Sequence, residues 1–349
     1  MSAANRVRVL IVDDSVLVRS VLTRGLGADP GIEVVGAARD PYEARDLLVK
    51  LRPDVMTLDV EMPRMDGVTF LRRVMAVLPT PTVVLSSLTT SGSSLAVQAL
   101  AAGAIDVVAK PAADVASALD AMMARLIAVV KAAARARVAA VGPPPAVLDA
   151  HPPAALDQTT DQVIGLGAST GGVAALGRIL PMFPAWTPGV VIVQHMPPGF
   201  TKAFADRLNA SCPMRVVEAQ GGEVLEQGTV YVAPGDHHMI VERFGLQLRT
   251  ALRDGPPVHF QRPAVDVLFH AAAKLKGVPM VGVILTGMGA DGADGLLALR
   301  QAGAQTLAED EQSCVVFGMP KEAIARGGAM HVATLLQMPH KIAECLDKS

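Results

Sequence analysis

The sequence predicts an α/β protein of two doubly wound parallel-sheet domains, the second carrying an antiparallel hairpin. Three observations predict it. Short aliphatic runs alternate with amphipathic segments in both halves, as strand–helix units around a parallel sheet do. The alternation stops between about Lys131 and Asp161, where Ala and Pro dominate, and begins afresh beyond. The chain has 349 residues, enough for about two domains at roughly 150 residues each.

In the first half the strand candidates are Val7–Val12, Glu33–Ala38, Asp54–Leu58, Thr82–Leu85 and Ile105–Ala109, each short and aliphatic. Between them, Ser15–Leu26 and Tyr42–Leu51 have helical periodicity. A first domain is expected over residues 5–125. A helix tail and a semi-extended linker follow over 126–161, with Pro143–Pro145 and Pro152–Pro153 inside. The second domain, 162–349, repeats the logic with Val163–Gly167, Val190–Gln194 and Val278–Leu285, each leading into a Gly-rich turn and a helical pattern. Alternation between Thr229 and Leu252, around Asp236 and Gly245, suggests antiparallel strands.

Composition excludes several classes. Hydrophobic residues make up 51% and aromatics 3%. The chain is too apolar to be disordered, and its cores must be aliphatic. A net charge of -2 and a pI near 6.4 leave no electrostatic footprint for nucleic acid or an anionic membrane. The mean hydropathy, +0.38, raises the question of membrane insertion. However, the longest charge-free stretch, Val74–Ile105, is broken by Pro79, Pro81, Gly92 and Gly103, and Ile179–Thr201 contains five prolines. Neither is a continuous apolar helix of about 20 residues. Met1–Val9 has no apolar core of a secretory signal. Cys212, Cys314 and Cys345 are too scattered for a disulfide framework or a zinc site. The expectation is a cytoplasmic protein with free thiols.

Asp13 and Asp14 close the first strand and Asp59 the third. The carboxyl ends of parallel strands line the ligand crevice, and three carboxylates there call for a hard cation with oxygen ligands, Mg²⁺. Ser86 ends the fourth strand, and Lys110, placed for a phosphoryl group, follows the fifth. Any one Asp could simply cap a helix. Together, the five positions describe an acidic metal pocket in which one carboxylate is free to attack a phosphoryl donor. The runs Val12–Ser15, Leu58–Gly67 and Lys110–Pro111 resemble the receiver domain of bacterial response regulators, a flavodoxin-like fold. The resemblance implies Asp59 as phospho-acceptor, Asp13 and Asp14 as the rest of the Mg²⁺ pocket, Ser86 as switch hydroxyl and Lys110 as phosphate contact. Val107 stands where many receivers carry an aromatic switch residue.

Gly165–Gly172 follows a strand and opens a helix. As a dinucleotide fingerprint it fails, because Thr170 occupies the sixth, Gly position and Gln194-His195 replaces the acid expected after the next strand. As Gly-x-Ser-x-Gly it exposes Ser169 on a tight turn. A serine nucleophile needs a base and an orienting acid. His195 ends one strand and Asp291 lies just past another. His237-His238 competes as base and Asp294 as acid, and the loop around Met288 offers backbone donors for an oxyanion. The order Ser, His, Asp is not that of α/β-hydrolases.

The words Gly167–Gly172, Val193–Pro197, Ala233–Asp236, Pro263–Phe269, Thr286–Gly292 and Ser313–Pro320 together resemble the chemotaxis protein-glutamate methylesterases, over about residues 162 to 345. Gln261 and Ala264 stand where many relatives have His and Ser. The resemblance implies a Rossmann-like catalytic domain with Ser169 as nucleophile, His195 as general base and acid, Asp291 as orienter, and Thr170 and Met288 lining the site. It also implies the activity: a phosphorylation-activated esterase that demethylates glutamate methyl esters, and deamidates glutamines, on chemoreceptor helices. Methanol is released, and the ester step needs no cofactor. The implied partners are methyl-accepting chemotaxis receptors and a chemotaxis histidine kinase as phosphodonor.

Overall fold

The computed structural model describes residues 6–63, 65–111, 116–136 and 162–347. The greater part of the expected linker, 137–161, lies outside them. The chain divides into two compact units, Met1–Gly142 and Pro143–Ser349.

In the first unit strands and helices alternate strictly: β1 (Val7–Val12), α1 (Val16–Gly27), β2 (Ile32–Ala38), α2 (Pro41–Leu51), β3 (Val55–Asp59), α3 (Gly67–Val77), β4 (Thr82–Ser86), α4 (Thr90–Ala101), β5 (Asp106–Ala109) and α5 (Ala116–Ala133). The strands form one parallel sheet in the order β2-β1-β3-β4-β5. Every residue of β3 and β4 is buried, so these strands read as mainly apolar runs rather than as a polar–apolar alternation. Short polar side chains begin the helices. Ser15 accepts from the Val18 amide, and Asp40, with Pro41 at the first helical position, accepts from Tyr42 and Glu43. The chain leaves β1 toward β2 on one side, and β3 lies on the other. The order therefore reverses between β1 and β3, where doubly wound sheets hold ligands.

The second unit contains β6 (Val163–Ala168), α6 (Gly172–Ile179), β7 (Gly189–Gln194), α7 (Phe200–Asn209), β8 (Arg215–Glu218), β9 (Thr229–Val232), β10 (His238–Phe244) and β11 (Gln247–Arg253). Then follow α8 (Val265–Ala272), β12 (Met280–Ile284), α9 (Ala293–Gln301), β13 (Gln305–Glu309), α10 (Met319–Ala325), β14 (His331–Ala333) and α11 (Met338–Leu346). Seven strands pair in parallel in the order β14-β13-β12-β6-β7-β9-β8. Here the reversal falls between β6 and β12. The core joins Val163, Val191 and Val193 of the sheet to Leu268 and Phe269 of α8 and Leu296 of α9.

One expectation is corrected. Of the region Thr229–Leu252, β9 joins the parallel sheet, and only β10 and β11 pair antiparallel, with Gly245 in the turn at φ 61. Three strands, β8, β13 and β14, were not expected from the sequence.

Candidate active site

Both strand-order reversals carry the predicted side chains. Ser169 is the first residue beyond β6 and is half-buried. Its amide donates to Thr286 O (3.0 Å), just past β12. Its carbonyl accepts from the Gly172 amide (2.7 Å) and from Gln194 Nε2 (2.9 Å), at the end of β7. The nucleophile candidate is thus tied to the strands on either side of its own. Gly287 permits this approach: a Cβ there would meet Ser169 Cβ at 2.8 Å and Met319 Sδ at 2.3 Å.

His195 follows β7, and its amide donates to Ala168 O (3.1 Å). The ring is buried, with Nε2 2.7 Å from Asp291 Oδ2. Its other nitrogen, Nδ1, is buried without a hydrogen-bond partner. Asp291 also accepts from the amides of Val265 (2.7 Å) and Asp266 (3.0 Å) at the start of α8. Burial pushes the Asp291 carboxyl up, but the His195 hydrogen bond and charge and these two amides outweigh it, and it ends below the usual carboxylate range. With Asp291 as acceptor of the Nε2–H, Nδ1 is the ring nitrogen left without a partner. No hydrogen bond joins Ser169 Oγ to His195 among those of the described residues. The structure therefore joins His195 to Asp291 directly and ties Ser169 to the ends of their strands through its backbone.

The competing residues have other partners. Asp294 faces outward from α9 and pairs with Arg326 Nη1 (2.6 Å). His238 is buried, bridging Pro256 O (3.1 Å) and the Ala264 amide (3.2 Å), and His237 pairs with Asp254 (2.9 Å). Thr170 is buried, and its carbonyl accepts from Thr286 Oγ1 (3.0 Å). Met288 stands 38% exposed on the loop that carries Asp291.

Two groups escaped sequence reasoning. Glu309, the last residue of β13, is fully buried and accepts from the Thr286 amide (2.8 Å) and Ser313 Oγ (3.0 Å). Burial pushes it up to about 7, which those donors reduce only in part. Asp266 contacts His259 Nε2 (3.0 Å) and the Gly295 amide (2.6 Å). Burial raises its carboxyl, and the Asp291 charge adds to this. An acid in the first turn of a mainly apolar helix, Val265–Ala272, is the available signal for Asp266.

In the first unit, Lys110 Nζ lies 2.9 Å from Asp13 Oδ2 and 2.7 Å from Asp59 Oδ2. Oxygens of Asp13, Asp14 and Asp59 lie within 4.8 Å of one another. Burial raises the Asp59 carboxyl; Lys110 opposes this incompletely and Asp13 adds to it. Burial alone would lower the Lys110 ammonium, but the two carboxylates raise it. Three clustered carboxylates facing one ammonium leave unbalanced negative charge, a donor set that fits Mg²⁺. Ser86 is buried, and its hydroxyl donates to Gly92 O (2.9 Å) rather than into this pocket. Val107 is buried in β5, paired with Val84.

The CheB methylesterase family model matches residues 164–342, and the response regulator receiver domain model matches residues 9–121. A protein-glutamate methylesterase/protein-glutamine glutaminase of Syntrophotalea carbinolica is 52% identical, over 98% of this chain and 98% of its own. Another so named, from Anaeromyxobacter dehalogenans, is 54% identical over 92% of this chain and 90% of its own. The crystal structure of the Thermotoga maritima CheB methylesterase catalytic domain is 40% identical, with a TM-score of 0.51, covering 52% of this chain and 97% of that one.

Proposed function

The chain belongs to the CheB methylesterase family, and from that premise we propose that it hydrolyses γ-methyl esters of protein glutamate and deamidates protein glutamine. Ser169 is the nucleophile, His195 the general base and acid, and Asp291 the residue that orients and charges the imidazole. The observation that carries this reading is the buried, unpartnered His195 Nδ1 opposite a 2.7 Å bond to Asp291.

Ser169 Oγ attacks the γ-carbonyl carbon as its proton passes to His195 Nδ1. The imidazolium is stabilised by Asp291 through Nε2–H. Collapse of the tetrahedral intermediate breaks the ester C–O bond, and the imidazolium proton leaves with methanol. Water, deprotonated by the same nitrogen, then attacks the acyl-serine and frees glutamate. With glutamine the leaving group is ammonia. Backbone N–H groups of the loop around Met288 face the developing oxyanion, a contact worth about 3 kcal/mol of barrier. Ser169 closes onto Nδ1 when substrate binds, since hydrogen bonds at empty catalytic sites are commonly long. The ester step draws on no cofactor.

The receiver unit regulates this chemistry. Asp59 accepts the phosphoryl group, from a chemotaxis histidine kinase or a small donor, and Lys110 binds its oxygens. Asp13, Asp14 and Asp59 would hold Mg²⁺, whose positive charge would offset that of the phosphoryl group. Ser86 acts as switch hydroxyl by leaving Gly92 O for the phosphoryl oxygen. The substrates are methylated cytoplasmic helices of chemoreceptors, and the chain works in the cytoplasm. Among the described residues no helix is long and apolar enough to cross a membrane.

Methanol release from methylated receptor fragments, with acetyl phosphate present, tests the reading. Ser169→Ala should lower turnover by about 10⁴-fold or more with circular dichroism unchanged. Retained turnover assigns the nucleophile elsewhere.

A further inference from the structure

The loop between β11 and α8 is braced along its length. Arg262 donates from Nη1 to Gly255 O (2.7 Å) and from Nε to Asp236 (3.0 Å). His238 bonds Pro256 O and the Ala264 amide, at its two ends. Val258 and Gln261 exchange both backbone hydrogen bonds (3.0 and 2.9 Å), leaving His259 and Phe260 as a two-residue tip. Both tip residues are left-handed, at φ 51 and 62. Such turns favour Asn or Gly, and a bulky aromatic there is a genuine outlier. The imidazole of His259 is fastened to Asp266, whose amide holds Asp291. One ligating atom from each of His259, Asp266 and Asp291 lies within 4.8 Å of the other two. The turn therefore abuts the acid of the proposed triad, and Phe260 beside it is 99% exposed.

A solvated phenylalanine contributes nothing to the core, and its backbone conformation disfavours it. Backbone outliers held in place by their surroundings gather at functional sites, and bracing of this density serves presentation. Among the described residues, Met288 supplies a second exposed apolar side chain, on the loop that carries Asp291. A helix is about 10–12 Å across with its side chains. One that directs a side chain to Ser169 is wide enough to cover neighbouring loops, and the loops that carry Phe260 and Met288 meet at Asp291.

We propose that the Val258–Gln261 turn is a substrate-docking element, in which Phe260 packs on the apolar side of the helix that carries the esterified glutamate. The proposal rests on the esterase reading and adds the residue that recognises the helix around the ester. His259 and Asp266 are positioning residues, fixing the turn beside the acid.

Two measurements on the full chain test it. The first compares a methylated chemoreceptor helix fragment with the γ-methyl ester of N-acetylglutamate amide, both hydrolysed in the presence of acetyl phosphate. In Phe260→Ala the ratio of kcat/KM for fragment over small ester should fall about tenfold, chiefly through KM, and Phe260→Leu should restore most of it. The second measures calorimetric affinity of the fragment for Ser169→Ala with and without Phe260→Ala, and the double variant should bind about tenfold more weakly. An unchanged ratio together with unchanged affinity overturns docking, as does a Phe260→Ala variant that changes self-association in sedimentation and not fragment affinity. Absence of hydrolysis in the wild type bears on the esterase reading, while the binding comparison still judges docking.

Discussion

Glu309 shows how a single buried acid couples the catalytic unit to pH. Its folded pKa, about 7, stands above its ordinary value of 4.5 because burial penalises the anion. A group raised on folding contributes stability that is fully present below the ordinary value and is lost as pH rises through the folded one. The window therefore runs from about pH 4.5 to 7, and the loss across it is about 3 kcal/mol. Glu309→Gln keeps an acceptor for the Thr286 amide and a donor for Ser313 Oγ, and it cannot ionise. Urea unfolding should show the variant gaining on the wild type as pH rises from about 5 to 8. A stability difference that stays constant with pH would mean that Glu309 is not the titrating group. Asp291 lies on the opposite side of its ordinary value, with hydrogen bonds that hold the anion. Two buried acids near Ser169 thus titrate in opposite directions for identifiable reasons.

At the level of elements, each site is a strand end and the turn after it. The β6–α6 turn depends on Gly172, where a Cβ would meet Gln194 Oε1 at 2.1 Å and Ala168 Cβ at 2.7 Å. Gln194 is the side chain that holds the Ser169 carbonyl. Gly172→Ala should therefore lower stability by about 1–3 kcal/mol, and it should lower esterase activity further by releasing Gln194. Unfolding curves and turnover measured on one preparation separate the two effects; wild-type turnover would show that Gln194 does not position Ser169. These turns were legible in the sequence because their chemistry is local: Gly, Ser and Asp follow directly on aliphatic runs. The same holds for β1, β3 and β7, whose buried stretches are written almost wholly in aliphatic residues, with Arg8 at the half-buried start of β1 and Thr57 inside β3. What escaped has little local signature. β14 is three residues long, and β8 and β13 begin or end in charge, Arg215–Glu218 and Gln305–Glu309. β9, four buried residues long, pairs parallel with β7 and with β8, the strand just before it in the chain, and nothing within Thr229–Val232 announces that direction. Glu309 and the His259–Asp266 contact become functional neighbours only through folding, so no spacing announced them.

Across the whole molecule, each of the two units has a parallel sheet buried on both faces and a candidate site at its own strand-order reversal. The second unit also closes a core of its own, from Val163 through Phe269 to Leu296, so residues 162–349 have the means to fold without the first unit. If the receiver restrains the esterase and phosphorylation at Asp59 lifts the restraint, three proteins must behave in a linked way. The fragment 162–349 should release methanol faster than the unphosphorylated full chain, by about 5- to 150-fold for a coupling of ordinary size. Acetyl phosphate with Mg²⁺ should move the full chain toward the fragment and leave the fragment itself unmoved. Asp59→Asn should retain the slow basal rate and lose the response, because the acceptor carboxylate is gone while Asp13 and Lys110 remain paired. A fragment no faster than the unphosphorylated full chain removes inhibition as the mode of control, and an Asp59→Asn chain that still responds to acetyl phosphate removes Asp59 as the acceptor.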